Sequence, residues 1–214
     1  MLEKFMSSKI IAIDNLTKRY GSLVAVQRFN LTIDAGEVVV LLGGARTGKI
    51  SILKVVAADV KPDEGFVSVC NYDTVLQAGM VRPRVGFVKH ERVLEGGMSG
   101  RANLEEQAML HFFTAEQTER RIAELLPLAN LESRITTPAN TYTPDEWARL
   151  EMVASLIHRP KAWLVDEPTR GCDASGREHV WRAFRQLRSQ VSSVLLAMVD
   201  ETEANELANR VVKI

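Results

Sequence analysis

Apolar residues fall along this chain in short unbroken runs, separated by a long middle stretch of helical spacing. Val38-Val-Val-Leu-Leu42 is five apolar residues in a row, and Ala162-Trp-Leu-Val165 and Ser193-Val-Leu-Leu-Ala197 are similar runs. Runs without alternation predict strands buried on both faces. Ile10–Ile13, Val24–Ile33, Phe66–Cys70, Val85–Val88 and Val211–Ile214 read as further strands, with turns at Tyr20-Gly21, Ala35-Gly36 and Pro62–Gly65. From Ser99 to His158 the spacing is helical, as in Leu104, Ala108 and His111, or Ile122, Leu125 and Leu126. Helices are also predicted from Gly48 to about Ala58, from Ala174 to Gln190 and from Glu201 to Asn209. In the second of these Val180, Phe184 and Leu187 share the buried face, and Arg177, Arg182, Arg185 and Arg188 form the solvated side. Strands alternating with helices predict an α/β fold, a mixed and mainly parallel sheet flanked by helices. No Pro/Gly/Ser-rich linker bounds the helical stretch. It reads as a helical subdomain inserted at 91-159 into a single domain whose core is 1-90 and 160-214.

Composition narrows the class. The chain has 214 residues, 46% hydrophobic and 25% charged, as in ordinary globular domains. Lys+Arg and Asp+Glu are both 27, so no bulk charge points to nucleic acid or an acidic membrane. Cys70 and Cys172 make no disulfide framework and read as small buried apolar residues in a reducing compartment. No apolar run approaches the roughly 20 residues that span a bilayer, and the first residues carry no leader pattern.

The run Val38–Leu42 leads directly into Gly43-Gly-Ala-Arg-Thr-Gly-Lys49. A buried strand, a glycine loop and a lysine opening a helix make a phosphate cradle: backbone N–H groups converge, and the helix adds its positive end. Gly43, Gly44, Ala45, Arg46, Thr47 and Gly48 form the loop, and Lys49 supplies charge for outer phosphates. The next position should carry a hydroxyl for Mg²⁺, yet it is Ile50, with Ser51 one place late as the remaining metal candidate. Leu164-Val-Asp166-Glu167-Pro168 then ends a second buried run. Asp166 is placed to hold a metal through water, and Glu167 to orient or deprotonate an attacking water.

These motifs resemble those of the ATP-binding subunit of an ABC transporter, and the resemblance covers nearly the whole chain. Leu16-Thr-Lys-Arg-Tyr20-Gly is similar to the family's aromatic loop, in which a Tyr stacks on adenine. Val85-Gly-Phe-Val-Lys-His90 stands where the family has a loop ending in Gln, which contacts metal and water. Tyr142-Thr-Pro-Asp-Glu146 stands where it has a Ser-Gly-Gly-Gln signature. Ala154–Pro160, Pro168–Asp173 and Glu203–Arg210 are similar to the segments around the acidic pair and after the switch histidine. The wording is closest to the branch that exports drugs or polysaccharides. The resemblance implies a P-loop fold of the ABC type and ATP as ligand. It implies a membrane-spanning permease subunit as partner, and a dimer with itself or with a second ATP-binding subunit. It places the chain at the cytoplasmic face, peripheral to the membrane through that partner.

Five positions depart from the family. Arg46 replaces a glycine where a positive φ would cost about 1–3 kcal/mol. Ile50 removes the Mg²⁺ hydroxyl, His90 replaces the Gln, and Val199 replaces the switch histidine and reads as core beside Met198. Thr143-Pro-Asp-Glu146 predicts a well-capped helix start, with Thr as N-cap, Pro in the first turn and Glu closing a capping box. The resemblance would aim that helix at the opposing subunit's ATP, where Asp145 and Glu146 oppose phosphate and could pair with Arg46 instead. These changes predict ATP binding with little Mg²⁺ dependence and weak or absent hydrolysis. Two other readings are an active ATPase in which Ser51 and His90 compensate, and a structural subunit that needs no nucleotide.

Overall fold

The computed structural model describes residues 9–214; the N-terminal stretch read above for a leader lies outside the described residues. The described residues pack as two compact units, one running to Phe87 and including 161–166 and 192–214, the other of residues 88–160 and 167–191.

The first unit holds two sheets. Strands β1 (Lys9–Tyr20) and β2 (Leu23–Asp34) form a long antiparallel hairpin, and β1 also pairs antiparallel with β4 (Glu64–Val69), which pairs with β5 (Tyr72–Asp73). The second sheet runs in the order β6 (Val85–Val88), β7 (Ala162–Asp166), β8 (Ser193–Met198), β3 (Val38–Leu42), β9 (Arg210–Lys213). Pairs β7–β8, β8–β3 and β3–β9 are parallel. Every residue of β3, β7 and β8 is buried, which is why those sequences show no alternation.

Helix α1 (Lys49–Val56) packs against strands of both sheets, β2 and β4 on one side and β7 and β8 on the other. Its Ile52, Leu53, Val55 and Val56 join Ile11, Ile13, Val39, Leu41, Val67, Val69, Leu164 and Leu195 in one core. This is what holds the phosphate loop: α1 is pinned on both sides, and β3 is pinned by β8 and β9. The helix after β8, α7 (Glu201–Leu207), is capped by Asp200, whose side chain accepts from Glu203 N. A short helix, α2 (Ala78–Val81), and β5 went unpredicted, being too short to show a period.

The second unit packs α3 (Gly100–Leu110), α4 (Ala115–Ala129), α5 (Pro144–Leu156) and α6 (Ala174–Leu187). Ser99, Thr114, Thr143 and Asp173 cap these four helices with their side chains. Arg177, Arg182, Arg185 and Arg188 are exposed, while Val180, Phe184 and Leu187 are buried. Buried Arg121 donates to Leu156 O at 2.9 Å and to Gln190 Oε1 at 2.9 Å, tying α4 to the ends of α5 and α6.

Candidate functional site

The loop leaves β3 at Leu42 and enters α1 at Lys49. At Gly43 a Cβ would lie 2.5 Å from Ile214 O and 2.7 Å from Thr47 Oγ1, so a side chain does not fit. Gly48 sits at φ 94°, where a Cβ would be 2.3 Å from Ala25 O. Arg46 has φ 65°, the left-handed conformation that the sequence reading assigned a cost. Thr47 Oγ1 donates to Gly44 O at 3.1 Å and closes the loop on itself. Lys49 Nζ donates to Gly43 O and, at 2.8 Å, to Gly44 O, so the ammonium lies folded over the cradle. Gly44, Ala45 and Arg46 are exposed.

Ile50 is half-buried in the first turn of α1 and offers no oxygen. Ser51 is about 100° further round the helix and only 5% exposed. It belongs to the buried side of α1 rather than the rim formed by Gly44–Arg46. Asp166 ends β7, opposite Ala197 of β8, whose neighbour Met198 is opposite Leu42. Its carboxyl-bearing residue is therefore two strands, about 10 Å, from the start of the loop. A divalent cation here would draw on one carboxylate, Asp166, together with phosphate oxygens and water, a sparse but feasible set for Mg²⁺. Among the described residues there is no cluster of three or more His, Cys, Asp or Glu side chains suited to a metal.

Tyr20 closes the β1–β2 hairpin opposite Leu23, with its ring 46% exposed. Lys18 Nζ stands 5.3 Å from the ring centroid and pairs with Asp63 at 3.0 Å. Val199 corrects an expectation: it is 57% exposed, because β8 ends at Met198 and Val199 is the first residue beyond it. Cys70 and Cys172 are only partly buried, and burial raises both thiol pKa values.

In the second unit Glu167 follows Asp166 at φ 42°, another left-handed non-glycine residue. Arg170 N donates to Glu167 O at 3.1 Å, forming a turn, and Arg170 Nη1 lies 3.1 Å from His90 Nδ1.

Helix α5 starts as the sequence predicted. Thr143 Oγ1 accepts from Glu146 N, and Glu146 Oε2 accepts from Thr143 N at 3.0 Å. The acids on it do not reach outward. Asp145 Oδ2 meets Arg149 Nη2 at 2.8 Å and His179 Nδ1 at 3.4 Å, with the carboxylate only 15% exposed. Glu146 Oε1 lies 3.2 Å from Arg134 Nε. Burial alone would raise the Asp145 pKa, but Thr143, Arg149 and His179 outweigh it and hold the carboxyl below its ordinary value. Both carboxylates make ion pairs within their own unit, and a contact with Arg46 across subunits would have to compete with these. The Asp145–Arg149 spacing, one helical turn, was legible; the partners Arg134 and His179 were not.

The family model for ABC transporters matches residues 26–170. A daunorubicin resistance ATP-binding protein of Streptomyces coeruleorubidus is 34% identical over 206 residues, 96% of this chain and 65% of that protein. A Nod factor export ATP-binding protein of Sinorhizobium fredii is 30% identical over 209 residues, 98% of this chain and 61% of that protein. The chain thus spans just under two thirds of the length of these relatives. Among solved structures, a dimeric bacterial ABC transporter cassette superposes with TM-score 0.84 at 23% identity, over 95% of this chain and 94% of that one. A cassette dimer bound to ADP and phosphate gives TM-score 0.81, also at 23% identity.

Proposed function

The chain belongs to the ABC transporter family, and from that premise we propose that it is the ATP-binding subunit of an exporter, one that holds ATP with little help from Mg²⁺ and hydrolyses it slowly or not at all. The observation that carries this reading is the first turn of α1. Gly43, Gly48 and Lys49 keep the anion cradle, while Ile50 puts a hydrocarbon where a metal-ligating hydroxyl would be needed.

The chemistry follows from the loop itself. Lys49 Nζ exchanges the carbonyl oxygens of Gly43 and Gly44 for phosphate oxygens, so that both partners of the contact are ionised rather than the donor alone. The loop N–H groups take further oxygens, and the N-terminus of α1 favours the added negative charge. Arg46 brings a second cation to the exposed rim. Tyr20 offers a half-exposed ring for the base. Mg²⁺, when bound, would neutralise phosphate charge from Asp166. Glu167 can take a proton from water, but proton transfer alone is a modest part of phosphoryl-transfer catalysis, which rests on positioning.

The relatives are named for drug resistance and for Nod factor export, which supports an export role at the cytoplasmic face with a membrane-spanning permease partner. No helix among the described residues is long and apolar enough to cross a membrane. The second unit exposes Met109 at 70%, Leu110 at 66% and Phe112 at 94%, a run of apolar surface suited to docking such a partner. Dimerisation, with itself or with a second ATP-binding subunit, belongs to the same reading. Calorimetric titration of the purified chain with ATP tests the core of it. Binding that disappears in Lys49→Met, with the fold retained by circular dichroism, supports the reading. No binding by the wild type, or equal binding by the variant, refutes it.

A further inference from the structure

Arg46 holds a left-handed backbone, φ 65°, in the middle of the phosphate loop. Asn15, Asn71 and Asn130 share that conformation, and a short amide side chain suits it. For an arginine it is strained, and packing does not offset the strain. The side chain is exposed and makes no hydrogen bond, ion pair or ring contact with any other described residue. Other exposed arginines do: Arg19 meets Glu64 at 2.6 Å, Arg159 meets Glu124 at 2.9 Å and Arg210 meets Glu37 at 2.9 Å. The loop therefore keeps a strained residue whose charge no other described residue neutralises.

The charge balance of the cradle gives that cation a use. The cradle's inner cation is Lys49, only 6% exposed and held by the carbonyl oxygens of Gly43 and Gly44. The start of α1 adds about half a charge. A triphosphate without metal carries more negative charge than these two neutralise. A divalent cation would make up the difference, and Ile50 offers it no hydroxyl. Arg46 stands three residues before Lys49, on the solvent side of the same loop. Resting on the ATP-binding reading above, we propose that Arg46 is a phosphate-binding residue that supplies the charge a divalent cation would otherwise supply, so that through this side chain the loop selects metal-free polyphosphate and prefers a triphosphate to a diphosphate.

The chemistry of the side chain fits that use. A guanidinium stays protonated throughout the pH range in which proteins fold, offers five N–H donors in a planar fork, and takes phosphate oxygens in pairs. It has no vacant coordination site, so it holds phosphate without positioning a water as a metal would. Binding is then retained where hydrolysis is not promoted. Selectivity follows from charge: a triphosphate brings one more negative charge than a diphosphate, and the rim cation answers the larger excess. The same reasoning makes Arg46 and Mg²⁺ alternatives. Metal-bound ATP reaches the loop with less net charge and needs the guanidinium less.

Calorimetric titration with ATP, ADP and inorganic tripolyphosphate, each in excess chelator and again in excess Mg²⁺, tests this on the wild type, Arg46→Gln, Arg46→Gly and Arg46→Lys. In chelator, ATP affinity should fall about thirtyfold in Arg46→Gln, the worth of hydrogen bonding to a charged acceptor, and ADP affinity only about threefold. In Mg²⁺ the fall for ATP should also be about threefold, so the variant acquires a metal dependence of roughly tenfold that the wild type lacks. Arg46→Gly relaxes the left-handed backbone. It should show the same loss of affinity with a Tm no lower than that of the wild type, which separates the loss from misfolding. Arg46→Lys should keep part of the affinity. Equal ATP affinity in chelator for the wild type and Arg46→Gln overturns the proposal. So does an equal fall in chelator and in Mg²⁺, the result expected of a merely structural residue. A wild type that binds no ATP in either condition sinks the ATP reading instead, and tripolyphosphate then judges Arg46 alone: binding that weakens in Arg46→Gln supports the phosphate role, and no binding ends it.

Discussion

Asp145→Ala removes the negative charge from a buried guanidinium, and the cost follows from Arg149's partners. Arg149 Nη1 donates to Ala129 O and Asn130 O, both at 2.8 Å, and Nε donates to Asp145 O at 3.2 Å. Those carbonyls are backbone and survive the substitution. The Asp145 carboxylate at 2.8 Å does not, and the two side chains are only 8% and 15% exposed. Breaking a buried pair costs about 3–5 kcal/mol, and the surviving carbonyl acceptors bring the expectation here to roughly 3 kcal/mol. Loss of a carboxylate from the first turn of α5 acts in the same direction. For a chain of this size that loss is a fall of about 10 °C in Tm. Combining Asp145→Ala with Arg149→Met should recover part of it, because no charge is then left buried. The pH dependence has a fixed sign. The folded carboxyl titrates below its ordinary 3.8, so its stabilisation is present above that value and is lost as pH falls through the lower folded one. The deficit should therefore be constant near neutrality and shrink in acid. Urea unfolding of both variants across pH makes the measurement. A loss under about 0.5 kcal/mol at neutral pH would show that Asp145 is not serving Arg149, and would reopen its role at a subunit interface.

Glu151 gives a pH signature of opposite sign: burial raises its carboxyl pKa from 4.5 to about 7, against the smaller opposing effects of Trp147, Val93 and Arg92. That group's contribution is present below 4.5 and lost as pH rises through 7, so Glu151→Gln should flatten the stability profile between those values and stabilise by roughly 2 kcal/mol above them. Gly48→Ala should abolish ATP binding and lower Tm, since its Cβ would meet Ala25 O at 2.3 Å; an unaffected variant would show that the loop can relax. Glu167→Gln should leave phosphate release at the wild-type background, whereas turnover of several per second that vanishes in this variant would contradict slow hydrolysis.

The buried strands were the most legible part of the fold. Val38–Leu42, Ala162–Asp166 and Ser193–Met198 each lie between neighbours in a sheet covered on both faces, and such positions accept little but apolar residues. The loop was legible because few residues fit its geometry: Gly43 and Gly48 have no room for a Cβ. Helix starts at Thr143 and Asp173 were marked by short-range chemistry. What eluded the sequence depends on contacts between distant residues. The antiparallel sheet needs the pairing of Ile11 with Val69 and of Ile13 with Val67, which local periodicity does not encode. Val199 was misplaced because an apolar residue just beyond a buried strand looks like its continuation. The commitment of Asp145 and Glu146 needed His179 and Arg134, brought in by other elements. The tie between His90 and Arg170 spans 80 residues and leaves no local trace.

The account's central claim is that ATP is held by the loop amides and Lys49 rather than through Mg²⁺. The most direct measurement is the Kd for ATP on the purified chain, in excess Mg²⁺ and again in excess chelator. The account predicts that the two values agree within about threefold, less than one hydrogen bond's worth. A loss of affinity of a hundredfold or more on chelation would contradict it, and would mean that a metal ligand other than the residue at position 50 has taken up the role.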